Sequence, residues 1–236
     1  MKQKTMWEKI ERASKAPDLR LTHTMIAQAA IRIADAEGLQ GVTLRRLASE
    51  LEVATMAIYR YVSSKEDILE LMVDAVQPQI KPRKGVVNWR DVVSELACDL
   101  RASMKRHEWI GELPPRARLA LTPRRFAAIE SVLSSLDGQD LTVDSMMLIV
   151  ETVSAYASGV TASEIARKQL IGSAGLPGAA GLRKALGPQM AWLLNTGQYP
   201  TYERYVRDAK DRDREDARFR AGLEFILGGV SASLKI

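Results

Sequence analysis

The stretch that decides the fold runs Val42-Thr43-Leu44-Arg45-Arg46-Leu47-Ala48-Ser49-Glu50-Leu51-Glu52-Val53-Ala54-Thr55-Met56-Ala57-Ile58-Tyr59-Arg60-Tyr61-Val62-Ser63-Ser64-Lys65-Glu66-Asp67-Ile68-Leu69. Thr43 can cap a short helix whose apolar positions are Leu44, Leu47, Ala48 and Leu51. Glu52-Val53 interrupts it, and a second short segment follows from about Thr55 to Tyr61. Two short helices across a tight break, with a longer helix before them to pack against, form a helix-turn-helix. The first helix of such a pair crosses a nucleic-acid backbone, and the second offers its exposed face to the major groove. Leu47, Ala48, Leu51, Val53 and Ile58 supply core positions. The exposed side of the second segment carries Thr55, Met56, Ala57, Tyr59, Arg60 and Tyr61, an unusual set for plain solvent. Phenolic hydroxyls can bond phosphates, and small or apolar side chains can touch thymine methyls.

Outward from this motif, nearly every segment keeps the 3.6-residue period and none alternates clearly as a strand would, so the fold class is all-α. Upstream, Thr22 caps a helix with Ile26, Ala29, Ala30, Ile33 and Ala34 on its apolar face, ending at Gly38. Downstream, Ser63 with Glu66 reads as a capping box opening a helix through Ile68, Leu69, Leu71, Met72, Ala75 and Val76. Pro78 and Pro82 mark its end. The division is a basic extension over 1–21, a helix-turn-helix domain over 22–80, a linker over 81–87 and a larger helical domain over 88–236. The extension, with Lys2, Lys4, Lys9, Arg12, Lys15 and Arg20, reads as a solvated, disordered tail that can alternatively reach a neighbouring groove; Trp7 is its one hint of packing.

Bulk properties restrict the function without naming it. The chain has 236 residues and a formal net charge of +5, with a pI near 9.3. That permits nucleic-acid binding, yet residues 1–80 hold eleven Lys/Arg against eleven Asp/Glu, so attraction to DNA must come from local placement. No run reaches the ~20 apolar residues of a membrane span, and the polar start lacks a signal-peptide core, so the expected compartment is the cytoplasm. The single cysteine, Cys98, sits at an apolar helical position and reads as a small core residue. Two histidines, one cysteine and no HExxH, CxxC or nucleophile-elbow pattern leave little for catalysis, so no enzyme activity is expected. His107-Glu108, as neighbours on a helix, point apart. The glycines from Gly172 to Gly181 follow a helix and read as a mobile loop, not a phosphate cradle.

The quoted stretch resembles the TetR family signature. A threonine opens the second helix (Thr43), and an aliphatic-tyrosine pair sits in the recognition helix (Ile58-Tyr59). An aromatic stands two residues on (Tyr61), and a lysine starts the fourth helix (Lys65). The resemblance implies that Thr43, Tyr59, Tyr61 and Lys65 contact phosphates. Arg45 matches the position from which the tetracycline-repressor branch reads a guanine. Thr55, Met56, Ala57 and Arg60 would face base edges or the flanking backbone, and Arg46 is a further candidate. For each the alternative is a solvated helix surface, and for Tyr59 and Tyr61 it is packing between helices, with Tyr61, beside Val62, the better placed to be half core. The family usually has glycine in the turn where this chain has Glu52, and a polar cap where it has Ala54, for which Thr55 can substitute.

The larger domain resembles the effector domain of that branch through helix order alone. Asn88 precedes one helix, Thr122-Pro123 opens another, and Thr142 starts a long one reaching about Gln169. A charged segment from Lys210 to Arg218 leads into a last helix. The resemblance implies a homodimer, built from the stripe Phe219, Leu223, Ile226, Leu227 and Val230 with the 142–169 helix, while intrachain core is the alternative for that stripe. Gly222, Gly228 and Gly229 leave room for another helix. Pocket candidates are Trp109, Phe126, Met147, Glu151, Tyr156 and Trp192. Arg118-Leu119 stands where the branch has a metal-binding histidine, so neither a metal, another cofactor nor tetracycline is expected. The resemblance implies a repressor that holds palindromic operator DNA and is released by an unknown small hydrophobic or aromatic effector. A regulator whose larger domain answers to a protein, or only dimerises, stays open.

Overall fold

The computed structural model describes residues 6–13, 21–78, 80, 88–209 and 214–235. Within these the chain is all-α, with no strand. The 81–87 linker, most of the basic extension and residues 210–213 lie outside them.

The head comprises α1 (Met6–Ala13), α2 (His23–Glu37), α3 (Leu44–Glu50), α4 (Thr55–Ile58) and α5 (Lys65–Ala75). Thr22 Oγ1 accepts the Met25 N–H at 3.1 Å and Thr43 Oγ1 accepts the Arg46 N–H at 3.1 Å, so both threonines cap as their positions predict. Between α3 and α4 the chain turns through Glu52 at φ 53°. A left-handed conformation costs a side-chain-bearing residue on the order of 1 kcal/mol. The turn is held by the Leu51 N–H on Leu47 O and the Val53 N–H on Ala48 O, both 3.0 Å. Ile26, Ile33, Leu47, Ile58, Ile68 and Met72 are completely enclosed, with α2 lying chiefly along α5.

Three local expectations change. Residues 6–13 are helical rather than a solvated tail, because Met6, Trp7 and Ile10 pack on the head core. The cap of α5 is Ser64, not Ser63: Ser64 Oγ accepts the Asp67 N–H at 3.2 Å, and Asp67 Oδ2 accepts the Ser63 N–H at 2.7 Å. The arrangement differs from a capping box in that the acid accepts from the residue before the cap, not from the cap itself. At α4 no side chain caps the helix, so Thr55 does not replace the missing polar cap.

The head does not end where the linker begins. It shares one compact unit, closing at Ser154, with α6 (Trp89–Arg106), α7 (Pro115–Arg118) and α8 (Pro123–Leu136). Asn88 Oδ1 caps α6 by accepting the Arg90 N–H at 3.0 Å. Trp109, Leu113 and Ala117, from the 3-10 turn Glu108–Glu112 through α7, are buried in the same cluster as the head helices. Asp74 of α5 reaches α8, where its Oδ1 accepts the Arg124 N–H at 2.8 Å and caps that helix in place of Thr122.

The second unit begins at Ala155, within α9 (Val143–Ser173), and adds α10 (Gly178–Asn195), α11 (Pro200–Asp208) and α12 (Glu215–Leu234). The glycine-rich stretch expected as a mobile loop is largely helical. α9 runs through Gly172, and Gly178 and Gly181 belong to α10. Gly181 is needed there because a Cβ would collide with the Pro177 ring. At Gly222 a Cβ would overlap the Tyr156 hydroxyl. That hydroxyl donates to Phe219 O at 2.8 Å, and the two rings stack at 5.4 Å.

Candidate nucleic-acid interface

Helix α4 is anchored by one enclosed residue, Ile58, and turns Met56 outward, followed by Tyr59 and Arg60 just past its end. Met56 is 72% exposed and Tyr59 47% exposed, Arg60 is exposed, and Thr55 and Ala57 are half-buried. A methionine and a tyrosine standing in solvent beside an arginine offer groups that can meet base edges and phosphates. Tyr61 is half-buried instead. It packs against the core while its carbonyl accepts the His23 Nε2–H at 3.2 Å, and the two rings meet edge-on at 5.3 Å. Burial lowers the pKa of His23, partly offset by that bond to Tyr61. The histidine thus ties the start of α2 to the exit of α4.

The two adjacent arginines of α3 have different fates. Arg45 is exposed, and its side chain makes no hydrogen bond or ion pair with the described residues. Arg46 is engaged on both sides: its Nε donates to Glu37 at 2.8 Å and its Nη1 to Glu50 at 3.1 Å. The Glu37 carboxylate raises the Arg46 pKa further, and Arg32, then Arg46, hold Glu50 below the usual carboxylate range. Arg32 completes the ladder on Glu50 at 3.2 Å. Arg46 is thus a strut between α2 and α3 through its Nε and Nη1, with its side chain still part-exposed. The four-residue spacing from Arg46 to Glu50 is the sequence signal for it. Lys65 is exposed and Nζ donates to Leu39 O at 3.3 Å, fixing the turn before α3. Thr43 is exposed at its cap.

The pocket candidates fare unevenly. Trp109 is 3% exposed inside the head core, where its indole N–H donates to Asp35 at 2.8 Å. It is corrected from a cavity-lining residue to a core anchor, since its one polar atom is satisfied there. Phe126 and Trp192 are exposed, Met147 is half-buried and Glu151 exposed. Tyr156 lines a cleft of about 240 Å³ with Val160, Glu164, Arg167, Arg218 and Phe219. That is smaller than the roughly 300–1,000 Å³ of small-molecule sites, and an Arg167–Glu215 pair at 3.3 Å flanks it. Thr122, absent from the candidates, has a buried hydroxyl with no partner among the described residues. Arg118 closes a turn, donating to Gly111 O at 2.8 Å and Leu113 O at 3.3 Å.

The expected dimer stripe is split. Phe219, Leu223 and Leu227 are buried within the single chain and so are corrected to intrachain core, whereas Ile226 and Val230 are half-exposed. Phe225, outside that stripe, is 81% exposed.

Comparison with known proteins agrees with this architecture. The family described as "Bacterial regulatory proteins, tetR family" matches residues 26–72. The family "Tetracyclin repressor-like, C-terminal domain" matches residues 81–234. The HTH-type transcriptional repressor DrrR1 of Streptomyces coeruleorubidus is 32% identical over 227 residues, covering 95% of this chain and 83% of that protein. Streptomyces coelicolor ActR, solved in complex with actinorhodin, shares the fold with a TM-score of 0.65 at 24% identity, over 92% of this chain and 97% of that one. BioQ, solved with its natural double-stranded DNA operator, gives 0.59 at 19% identity, over 90% of this chain and 99% of that one. With both family descriptions matched in order, and the helix-turn-helix in the place they require, this chain belongs to the TetR family of transcriptional regulators.

Proposed function

We propose that the protein is a ligand-responsive repressor that holds palindromic operator DNA as a homodimer and releases it when a small hydrophobic or aromatic effector binds. The observation that carries this reading is the outward face of α3 and α4, where Arg45, Met56, Tyr59 and Arg60 stand exposed on a rigid scaffold. Thr43, Thr55, Ala57 and Lys65 flank that face, and Tyr61 serves it from the half-buried side. Repression is supported by the kinship with DrrR1, and operator binding by the shared fold with the BioQ complex.

The two matched family regions, 26–72 and 81–234, support a DNA-binding head followed by an effector-binding part, divided near residue 80. Dimerisation suits DNA whose half-sites lie one helical turn or a multiple apart. Its supporting surface is the exposed side of α12, with Phe225, Ile226 and Val230 beside the uncrowded Gly228 and Gly229. An aromatic effector is supported by the actinorhodin complex of ActR. Phe126, Met147 and Glu151 of the first unit remain its candidate contacts, and the unpartnered Thr122 hydroxyl joins them. A bound metal has no support at Arg118, whose guanidinium is committed to two carbonyls.

The experiment is selection of duplexes from a random library by the purified protein, followed by titration of actinorhodin and other small aromatic compounds into the selected complex. The expected result is a palindromic site bound two chains at a time and a compound that releases it. Recovery of no preferred duplex at low ionic strength overturns the reading.

A further inference from the structure

We propose that Asp35 is a positioning residue: by clasping His107 and Trp109 it sets the tilt of α2, and with it the angle at which α4 meets DNA. The inference rests on the operator-binding reading above. Asp35 lies in the last turn of α2, and its Oδ1 accepts the Trp109 indole N–H at 2.8 Å. The same oxygen lies 2.8 Å from His107 Nδ1, and Oδ2 lies 3.1 Å from it. A carboxylate can only accept, so that ring nitrogen donates. Two donors from the turn after α6 therefore converge on one carboxylate 72 and 74 residues earlier in the chain. The Trp109 ring is buried in the head core and stands 5.8 Å from the His107 ring, which fixes both donors in direction.

The opposite end of α2 is fastened to the reading segment. His23 donates to Tyr61 O at 3.2 Å, and along the flank Arg32 and Glu37 hold Glu50 and Arg46 of α3. Twelve residues separate His23 from Asp35, a helical span of about 18 Å. Such a bar swings its far end by about 3 Å for a tilt of roughly 10°, if pivoted at Asp35. That displacement is close to one base-pair rise of about 3.4 Å. A small loosening at Asp35 is thus a change of register at the DNA.

The test uses the full-length protein and a duplex that the wild type selects from a random library, together with versions carrying one base pair more or one fewer between the half-sites. Affinities for all three are measured at one fixed salt concentration, with the salt slope measured on the selected duplex. Asp35→Ala and Trp109→Phe are expected to reduce the preference for the selected spacing at least threefold while leaving the salt slope unchanged. Trp109→Phe keeps a ring in the core, so it carries the test should Asp35→Ala fail to fold. An unchanged spacing preference overturns the proposal, and so does a uniform loss on all three duplexes, which is the mark of a purely structural role. If the wild type itself binds no duplex, the operator-binding reading fails first and this inference falls with it.

Discussion

Replacing Arg45 and Arg46 one at a time separates reading from support on neighbouring positions of one helix. Arg45 stands exposed with no partner among the described residues, so its donors are available to a guanine edge. A well-placed bidentate contact discriminates against the wrong base by about 1–3 kcal/mol. At tenfold per 1.4 kcal/mol, Arg45→Ala should weaken binding by roughly 5- to 150-fold per half-site and flatten the preference at one base pair. Arg46 is held by Glu37 at 2.8 Å and Glu50 at 3.1 Å, so its removal leaves α3 less firmly joined to α2. Arg46→Ala should therefore lower the melting temperature while keeping the base preference intact. The assay is competition binding against a panel of single-base variants of the selected duplex, run for both mutants at the same salt. Loss of base preference on Arg46→Ala, with Arg45→Ala unaffected, would refute the reasoning.

Further consequences concern the scaffold. The folded-state pKa of His23 is lowered by burial, so between that value and the unfolded one near 6.5 the unfolded chain binds more protons. The histidine's contribution to stability is complete above that window and is lost as pH falls through it. Urea melts from pH 8 to 5 should show His23→Gln losing less stability than wild type, and parallel curves would rule this out. The buried hydroxyl of Thr122 lacks a partner among the described residues, so the near-isosteric Thr122→Val should raise unfolding free energy by about 1 kcal/mol; a drop would reveal an acceptor for that hydroxyl. At Gly222 a Cβ would meet the Tyr156 hydroxyl. Gly222→Ala should cost about 1–3 kcal/mol through overpacking, and adding Tyr156→Phe should recover part of it in a double-mutant cycle, whereas simple additivity would contradict the contact.

Much of the head was legible because its signals are local. Thr22, Thr43 and Gly38 each act within one helical turn, and the break at Glu52-Val53 falls between two apolar faces of helical period. The left-handed Glu52 was legible as an exception to the usual glycine. What escaped was decided over distance. Asp74 captures the end of α8 from 50 residues away and so displaces the Thr122 cap that the Thr-Pro pair advertised. Trp109 looked like pocket lining because nothing near it in sequence announces Asp35 as its acceptor. The glycines from 172 to 181 suggested a loop, yet Gly181 is small because the Pro177 ring needs its space inside a helical start. The stripe on α12 was visible as a period, but a period cannot say whether Phe219 faces its own chain or another, and Tyr156 settles that for Phe219.

The central claim is that α4, fixed by Ile58 and the His23–Tyr61 bond, enters the major groove with Arg45 beside it. A crystal structure of the protein bound to its selected duplex tests this most directly. The account predicts Thr55 to Arg60 within the groove, Arg45 at a base edge and Arg46 still between Glu37 and Glu50. Density showing the duplex against any other face, with Met56 and Tyr59 left in solvent, would contradict it.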